Sequence, residues 1–593
     1  MLSDVREVFT ARRDHHLAAA ARHEARYGHL GTARLVTFIV LLVLLWAVLF
    51  GRAFPPIVLL LPVAVFAALV VTAYRAERAR DQARRAAAFH ARGIARLDHA
   101  WHGQGISGAR WRDEQHSYAA DLDLFGRGSL FEFLCEARTA AGERVLAEWL
   151  QRPATLAEIT ARQEAVRELQ PRLELRESLA VLGADVREHF DERPLVRWAE
   201  AEQPPFPGWT MPLSRLLVAL FLGAILGAVL GWWPGWFLLP PLAGIALVGA
   251  ALRARVQATI AEVGAAAREL DDLALLIERL ESETVSVPSL LEIRTRLTAG
   301  SLPASRQIWR LRRLIGLLDS RGNQLVMLVL PLLLWTTQVA CAIGRWRREV
   351  GPSVRDWIAA TGEFEALASL AGHAFEHPEA AWPEFKDGTG FRATELGHPL
   401  LAGGGIRNDV SLGGAQQLLV VSGSNMSGKS TLLRAVGNAV VMAQAGAPVH
   451  AVSLVLEPLA IGASISTHDS LLEGSSRFYA EITRLRQVHD LAGGERTLLF
   501  LLDELLSGTN SHDRRIGAEA IVRSLIDRGA IGLLTTHDLA LARIAEVLGP
   551  RAANIHFEDQ LVEGRISFDY RIRPGVVERS NALELMRSVG LQV

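Results

Sequence analysis

A glycine-rich loop that ends in a lysine and two hydroxyl residues is the clearest candidate for chemistry in this sequence. The segment Gly423–Thr431 reads Gly-Ser-Asn-Met-Ser-Gly-Lys-Ser-Thr, which satisfies the spacing G-x-x-x-x-G-K-[ST] of a phosphate-binding loop. Glycines let main-chain N–H groups close around phosphate oxygens, and the positive end of a following helix attracts the same anion. The residues predicted to bind ATP are Gly423, Ser424, Asn425, Met426, Ser427, Gly428, Lys429, Ser430 and Thr431.

Two residues of this loop have separate predicted roles. Lys429 is expected to reach the terminal phosphates and so to take part in catalysis, and the Ser430 hydroxyl is expected to bind Mg²⁺. A plain glycine turn is the alternative interpretation. The loop interpretation is favoured because an apolar strand pattern precedes the segment and a helical pattern follows it.

Two carboxylates at the end of an apolar run provide the second set of candidates. Leu498–Asp503 is Leu-Leu-Phe-Leu-Leu-Asp and is followed by Glu504, a pattern typical of a central parallel strand whose end faces the ligand crevice. Asp503 is expected at the magnesium ion, and Glu504 is expected to activate the attacking water as a general base. A second run, Ile531–Thr536, ends at His537, which we interpret as a γ-phosphate sensor rather than a surface histidine.

These elements, in this order, resemble the ATPase domain of the MutS family. Gly423–Thr431 is similar to the family's GPNMGGKST, Gly474–Phe478 with Glu481 is similar to GxSTFxxE, and Asp503–Asp513 is similar to DE-x-x-x-GT-x-x-x-D. The resemblance implies an α/β P-loop ATPase of the ABC type that works as a homodimer with ATP and Mg²⁺. It also implies that Ser476 is offered in trans to the nucleotide of the opposing subunit.

Two positions depart from the family's pattern. The family has an aromatic residue that stacks on adenine three positions before the asparagine that is here Asn408, and this chain has Gly405 there. The sequence therefore names no residue that stacks on the base. Arg477 replaces a threonine, and both a phosphate contact and a solvated side chain remain open for it.

Composition limits the choice of partner and compartment. The 593 residues carry a formal net charge of −1, so no bulk basic field indicates nucleic-acid binding. Cys135 and Cys341 are the only cysteines. Two distant thiols indicate a reducing compartment, with no disulfide framework and no zinc site.

The 50% hydrophobic content is concentrated in four uncharged runs. Residues 35–51 and 55–74 are long enough to cross a bilayer as helices, as are residues 216–233 and 236–252. Arginines on the outer flanks and tryptophans at the second turn predict two hairpins in the cell (inner) membrane, with the N-terminus and the ATPase domain in the cytosol. Buried hairpins of a soluble core are the alternative, which the absence of charge disfavours.

A fifth apolar run, residues 325–344, contains Pro331 and Gln338. An odd fifth span would place residues 391–593 outside the cell. We therefore interpret this run as a buried core helix or as a helix lying against the membrane.

The remaining regions are mostly helical, and part of them resembles the helical core of the MutS family. The similar segments are Leu122–Phe131, Arg138–Leu150 and Arg162–Val166, with a capping box predicted at Thr155 and Glu158. The predicted domains are 1–34 (N-terminal cytosolic helix), 35–74 (membrane hairpin), 75–215 (helical core), 216–252 (membrane hairpin), 253–390 (helical core) and 391–593 (ATPase domain).

The resulting functional prediction is a membrane-anchored MutS-like ATPase that binds DNA, the DNA role resting on resemblance alone. Phe190–Glu192 has the F-x-E spacing of mismatch recognition but lies inside the helical core, so a chance match is favoured. The alternative is an ABC-type membrane motor or a nucleotide-dependent switch that does not act on DNA. Against a transporter, Leu491–Glu495 mimics an LSGGQ signature but lies too close to Asp503 to leave room for the intervening helix. The sequence identifies no further protein partner.

Overall fold

The computed structural model describes residues 2–51, 54–189, 192–201, 205–261, 270–319, 330–424, 426–465, 477–506, 509–562 and 565–577. The chain forms two compact units. The first unit comprises Met1–Glu136, Leu146–Val181 and Leu367–Val593, and the second comprises Ala137–Val145 and Leu182–Ala366.

The first unit begins with a long antiparallel helical hairpin, α1 (Leu2–Leu49) and α2 (Leu60–Leu97). The predicted N-terminal helix and the first apolar run therefore form one continuous helix. Ion pairs join the polar halves, as between Arg84 and Glu24 at 2.7 Å. The apolar halves expose large side chains such as Trp46 and Leu61, which are 65% and 73% exposed.

The other helices of the N-terminal two thirds are mostly short, apart from two in a second apolar hairpin and one long helix before the strands. They are α3 (Leu130–Leu134), α4 (Ala140–Gln151), α5 (Leu156–Leu169), α6 (Leu173–His189), α7 (Glu192–Glu200), α8 (Thr210–Val229), α9 (Leu239–Ala261), α10 (Leu270–Glu281), α11 (Pro288–Thr298), α12 (Ala304–Asp319) and α13 (Trp335–Glu376). The predicted capping box is confirmed at α5, where the Glu158 N–H donates to Thr155 Oγ1 at 3.3 Å and the Thr155 N–H donates to Glu158 Oε2 at 2.7 Å.

Four of the described helical segments are long and apolar enough to cross a membrane, judged by length and composition. They are Asp4–Leu49, Pro56–Leu97, Thr210–Val229 and Gly235–Ile260. The first part of the fifth apolar run, residues 325–329, lies outside the described residues. Within its described part, Leu334 and Ala340 are buried against side chains of α8 and α9, including Phe221 and Val248.

The C-terminal α/β region contains two sheets. Its strands are β1 (Glu384–Phe385), β2 (Phe391–Leu396), β3 (Asn408–Leu412), β4 (Leu418–Ser422), β5 (Ser453–Leu456), β6 (Ala460–Ser464), β7 (Leu498–Asp503), β8 (Ile531–Thr536), β9 (Ala552–Val562) and β10 (Arg565–Pro574). The helices between them are α14 (Lys429–Ala445), α15 (Arg477–Leu491), α16 (Ser511–Asp527), α17 (Leu539–Ala542) and α18 (Ile544–Leu548). The smaller sheet has the order β1-β5-β2-β3, and the larger has the order β10-β9-β4-β8-β7-β6.

In the larger sheet, β9, β4, β8, β7 and β6 are parallel and β10 is antiparallel. The predicted strands at Leu498 and Ile531 are confirmed, and both are buried throughout their apolar length. Their all-apolar sequences follow from this position, because parallel strands covered on both faces have no solvent side. Phe500, Leu534 and Val420 lie in the core of this region.

Candidate active site

The parallel arrangement brings the carboxyl ends of β4, β7 and β8 to one edge of the sheet. In the strand register, Ser422 lies opposite Thr536 and Asp503 lies opposite Thr535. A cavity of about 910 Å³ opens at this edge. Its lining includes Lys429, Ser430, Thr431, Asp503 and Glu504, so residues predicted from two separate motifs meet at one site.

The glycine loop turns back on itself at the start of α14. Gly428 has φ +101°, a left-handed conformation that favours glycine. Lys429, which is 5% exposed, donates from Nζ to the carbonyl oxygens of Gly423 at 3.0 Å and Ser424 at 2.8 Å. Burial lowers the pKa of the Lys429 ammonium, while the nearby Glu504 carboxylate raises it. An arriving phosphate would compete with those carbonyl oxygens for the buried cation.

The two predicted magnesium ligands are in direct contact. The Ser430 hydroxyl donates to Oδ2 of Asp503 at 2.6 Å. Oδ1 of Asp503 accepts a hydrogen bond from the hydroxyl of Thr535. Both oxygens of the carboxylate are thereby oriented, which leaves a hydroxyl and a carboxylate side by side as hard oxygen donors of the kind that Mg²⁺ prefers.

Glu504 follows Asp503 in a strained conformation. Its φ is +48°, which costs a residue with a Cβ about 1–2 kcal/mol. The Glu504 N–H is held by Thr535, with the hydroxyl at 3.1 Å and the carbonyl oxygen at 3.3 Å. This turn directs Oε1 to 3.1 Å from Nδ1 of His537 and 3.9 Å from Nζ of Lys429. The carboxylate therefore lies between a histidine and a buried cation, where the predicted general base is expected.

A buried carboxylate anchors the segment after Glu504. Glu481 on α15 is 3% exposed, lines the cavity and accepts a hydrogen bond from the N–H of Leu506 through Oε1. It belongs to the predicted GxSTFxxE segment, so that motif supports the loop following the Asp-Glu pair.

Some predicted site residues lie outside the described part of the chain. Asn425 and Ser476 are among them. Of the remaining loop residues, Met426 has φ +70° with a side chain 86% exposed, while Ser427 is buried. The described structure therefore brings the phosphate-loop, Asp-Glu and histidine predictions together, and it leaves the trans serine as a prediction.

Sequence reasoning assigned no role to Tyr570, which lines the cavity beside the loop. Tyr570 has φ +54° and sits in an irregular stretch of the β9–β10 pairing, between Phe568 and Ile572. Asn408 holds this bulge, donating to the Tyr570 carbonyl oxygen at 2.9 Å and accepting from the Ile572 N–H at 2.8 Å. A Cβ on Gly428 would lie 3.1 Å from the Tyr570 ring. Because glycine has no Cβ, residue 428 leaves room for the Tyr570 ring at the cavity.

Thr535 also takes part in the site. The sequence predicts a strand at this residue, but a strand pattern does not reveal that its hydroxyl bonds to Asp503 and to the Glu504 N–H. The available signal was two adjacent threonines ending an otherwise apolar run, which puts a hydroxyl at the same edge as the acidic pair.

Comparisons with known proteins match segments in the helical N-terminal region and in the C-terminal α/β region. A family model described as MutS domain V matches residues 419–592, and one described as MutS domain III matches residues 116–192. The chain is 31% identical to DNA mismatch repair protein MSH6 of Arabidopsis thaliana over 40% of this chain and 19% of that protein. It is 35% identical to Endonuclease MutS2 of Thermus thermophilus over 33% of this chain and 25% of that protein.

A longer match extends beyond the C-terminal region. DNA mismatch repair protein MutS of Myxococcus xanthus is 29% identical over 506 residues, which is 78% of this chain and 56% of that protein. The chain therefore spans only about a fifth to a little over half of the length of these relatives. The two family models cover a segment of the helical N-terminal region and most of the C-terminal α/β region.

Proposed function

The chain belongs to the MutS family, and from that premise we propose that it is a membrane-anchored ATP hydrolase that works as a dimer and responds to DNA. Members of the family are ATPases, and the relatives named above include DNA mismatch repair proteins. The observation that carries the ATPase assignment is the contact of Ser430 with Asp503 beside a Glu504–His537 pair, on the edge of a cavity that also holds Lys429.

Each residue has a defined part in the proposed reaction. Lys429 exchanges its carbonyl partners for phosphate oxygens. Ser430 and Asp503 would hold Mg²⁺, which would supply charge neutralisation at the phosphates. Glu504 takes a proton from the attacking water. His537 holds Oε1 of Glu504 in place and contacts the γ-phosphate. By resemblance, Ser476 of a second copy completes the site.

Tyr570 is the proposed aromatic contact for the nucleotide. Gly405 lines the same cavity but has no side chain with which to stack. Tyr570 is 42% exposed and its main chain is fixed by Asn408. An aromatic face on a fixed main chain can stack on a base at little entropic cost.

The membrane assignment is supported by where the apolar side chains lie. Large apolar groups on both hairpins face outward, including Leu61 on the first and Val229 on the second, which are 73% and 78% exposed. Contiguous apolar surface of this kind is rarely left open to water. The proposed arrangement has four spans in the cell membrane with the N-terminus and the ATPase domain in the cytosol, as arginine-rich flanks favour.

The second candidate is a membrane motor or nucleotide switch that does not act on DNA. The net charge of −1 favours it, because DNA-binding surfaces are usually strongly basic. Both candidate functions use the same nucleotide chemistry, so they differ only in which ligand the helical region binds.

The test is the ATPase rate of the detergent-solubilised full chain with homoduplex, mismatched and branched DNA, at low and at physiological salt. DNA stimulation or inhibition that persists at physiological salt supports the DNA-responsive enzyme, since non-specific phosphate contacts weaken steeply with salt. A rate unaffected by any DNA assigns the protein to the second candidate. Absence of hydrolysis in protein that binds ATP would contradict the enzyme assignment itself.

A further inference from the structure

Three histidines from separate segments form a buried cluster in the first unit, apart from the nucleotide chemistry. His373 lies in the last turn of α13, His377 follows that helix, and His450 lies between α14 and β5. They are 3%, 6% and 7% exposed. Their ring centroids are 4.6–5.3 Å apart, and a nitrogen atom from each lies within 4.8 Å of the others. The spacing of four residues places His373 and His377 on one face.

Ring nitrogens in this cluster lack ordinary partners. Nε2 of His377 and Nε2 of His450 are buried without a hydrogen-bond partner in the described part of the chain. Leaving a buried polar atom unsatisfied costs about 1–3 kcal/mol, and native proteins rarely accept it twice at one place. The opposite nitrogen of His377, Nδ1, faces Oε1 of Glu379 at 3.6 Å. Phe133 covers the cluster, with its ring 5.4 Å from that of His373.

The protonation state suits ligation. Burial holds the pKa of His373 and of His450 well below the usual range for histidine, and the neighbouring imidazoles lower it further. These rings are therefore neutral at physiological pH and each keeps a nitrogen lone pair. Neutral imidazole is the form in which histidine binds metal ions.

We propose that His373, His377 and His450 bind one divalent transition-metal ion, with Zn²⁺ as the first candidate. An all-nitrogen set of imidazoles suits Zn²⁺, Cu²⁺ or Ni²⁺ rather than Mg²⁺ or Ca²⁺, which prefer oxygen. Tetrahedral Zn²⁺ with Zn–N distances of about 2.0–2.1 Å separates its ligand nitrogens by roughly 3.3 Å, so small side-chain rotations would close the site. Glu379 would orient His377 through its contact with Nδ1, as carboxylates commonly do for metal-bound histidine.

A second histidine group differs because its rings already contact a carboxylate. His16 and His90 lie 2.9 and 2.8 Å from the two carboxylate oxygens of Glu177. That carboxylate already satisfies one nitrogen of each ring. The group therefore needs no ion to account for its geometry.

The proposed ion would connect a helix end to the wall of the nucleotide cavity. The carbonyl oxygen of His450 accepts from the N–H of Gly397 at 2.7 Å. His398, the next residue, lines the cavity. A metal at the cluster would thus fix the end of α13 relative to a segment that borders ATP.

The test is metal analysis of the detergent-solubilised full chain after removal of any affinity tag. The wild-type protein is first stripped of metal with a chelator and then titrated with Zn²⁺ against a chromophoric competitor. It is expected to bind one Zn²⁺ ion per chain. Co²⁺ added instead should give visible absorption bands of a nitrogen-ligated site. Folded wild-type protein that takes up no Zn²⁺ in this titration would overturn the proposal, and this result needs no variant.

Variants then locate the ion. His450→Gln and His377→Gln should each weaken Zn²⁺ binding by more than about 100-fold, because loss of an outer-shell partner alone costs 10–100-fold. Glu379→Gln should weaken it by about 10–100-fold. The matched control is His489→Gln, a histidine outside the cluster that bonds to Ser524 at 3.0 Å, which should bind as wild type. Equal Zn²⁺ binding by folded His377→Gln, His450→Gln and control proteins would place the ion elsewhere and refute the site.

Discussion

The hydroxyl of Thr535 accepts a hydrogen bond from the N–H of Glu504 at 3.1 Å. The same hydroxyl donates to Asp503. One side chain on β8 thus orients both acidic residues at the end of β7. The proposed metal ligand and the proposed general base therefore depend on a single threonine.

Thr535→Val is expected to lower kcat by about 5–150-fold. The change keeps the shape of the side chain but removes the hydrogen bond to the half-buried Asp503 carboxylate, and it leaves the Glu504 N–H only the Thr535 carbonyl oxygen. Both acidic groups are then less firmly oriented, and a loss of about 1–3 kcal/mol in the transition state corresponds to this fall in rate. Steady-state ATPase assays would measure it. Thr535→Ser, which restores the hydroxyl, should recover most of the rate, and an equally slow serine variant would count against this role.

Glu504→Gln is expected to leave ATP binding within a few-fold of wild type and to reduce turnover by about 100-fold or more, in line with the usual contribution of a general base. The amide is nearly isosteric but cannot accept the water's proton. Size-exclusion chromatography with ATP should show the dimer accumulating. The exposed Glu546→Gln serves as the control, and near-normal hydrolysis by Glu504→Gln would remove Glu504 from the mechanism.

Tyr570→Leu is expected to raise the Kd for ATP through the loss of base stacking, which contributes about 1–3 kcal/mol per base. Tyr570→Phe keeps the ring and should bind nearly as well as wild type. Fluorescent-nucleotide titration would separate the two. If both variants bind like wild type, the ring lies beside the nucleotide without contacting it.

Stability is expected to decrease as the pH falls from 6.5 towards 4. Burial, with a smaller effect of Arg434, lowers the pKa of His398 from 6.5 to about 4. In that interval the unfolded chain binds more protons than the folded one, so protonation favours unfolding. This histidine alone should reduce the free energy of unfolding by about 2 kcal/mol between pH 7 and pH 5.

Thermal unfolding of wild type and His398→Gln, measured with EDTA present so that metal binding does not contribute, would test the pH effect. The variant should lose less stability over the same interval. If the thermal stability of the two proteins falls equally with pH, His398 does not titrate in this way.

Cysteine labelling in whole cells would test the proposed topology. Gly51→Cys and Gly235→Cys, at the exposed turns of the two hairpins, should react with a membrane-impermeant maleimide added from outside. Glu546→Cys in the ATPase domain should react only after permeabilisation. The native Cys135 and Cys341 are both buried, so the maleimide should label them only weakly. Labelling of Glu546→Cys in intact cells would place the ATPase domain on the outer face.

The sequence predicts those parts of the site in which the functional residues stand at a fixed spacing within one segment. The glycine loop at Lys429 and the apolar run before Asp503 each carry their own signal, and parallel pairing then brings them to one edge. Thr535 and Tyr570 could not be assigned because their roles arise from strand register and from a bulge held by Asn408.

The histidine cluster illustrates the same limit more strongly. The low cysteine count led to an expectation of no zinc site, and nothing in the sequence around His450 connects it to His373 or His377. Their approach depends on how a helix end packs on a loop more than seventy residues away. Ligand sets assembled from distant segments become visible only in three dimensions.

The outward-facing apolar halves of α1 and α2 carry a consequence for how such a protein would meet its ligand. A protein held in a bilayer by these helices explores a plane rather than the volume of the cell. DNA would then have to be delivered to the membrane surface, so the frequency of encounter would be set by chromosome position more than by the protein's own diffusion. Releasing the ATPase from its hairpins would change where it acts before it changed how fast it works.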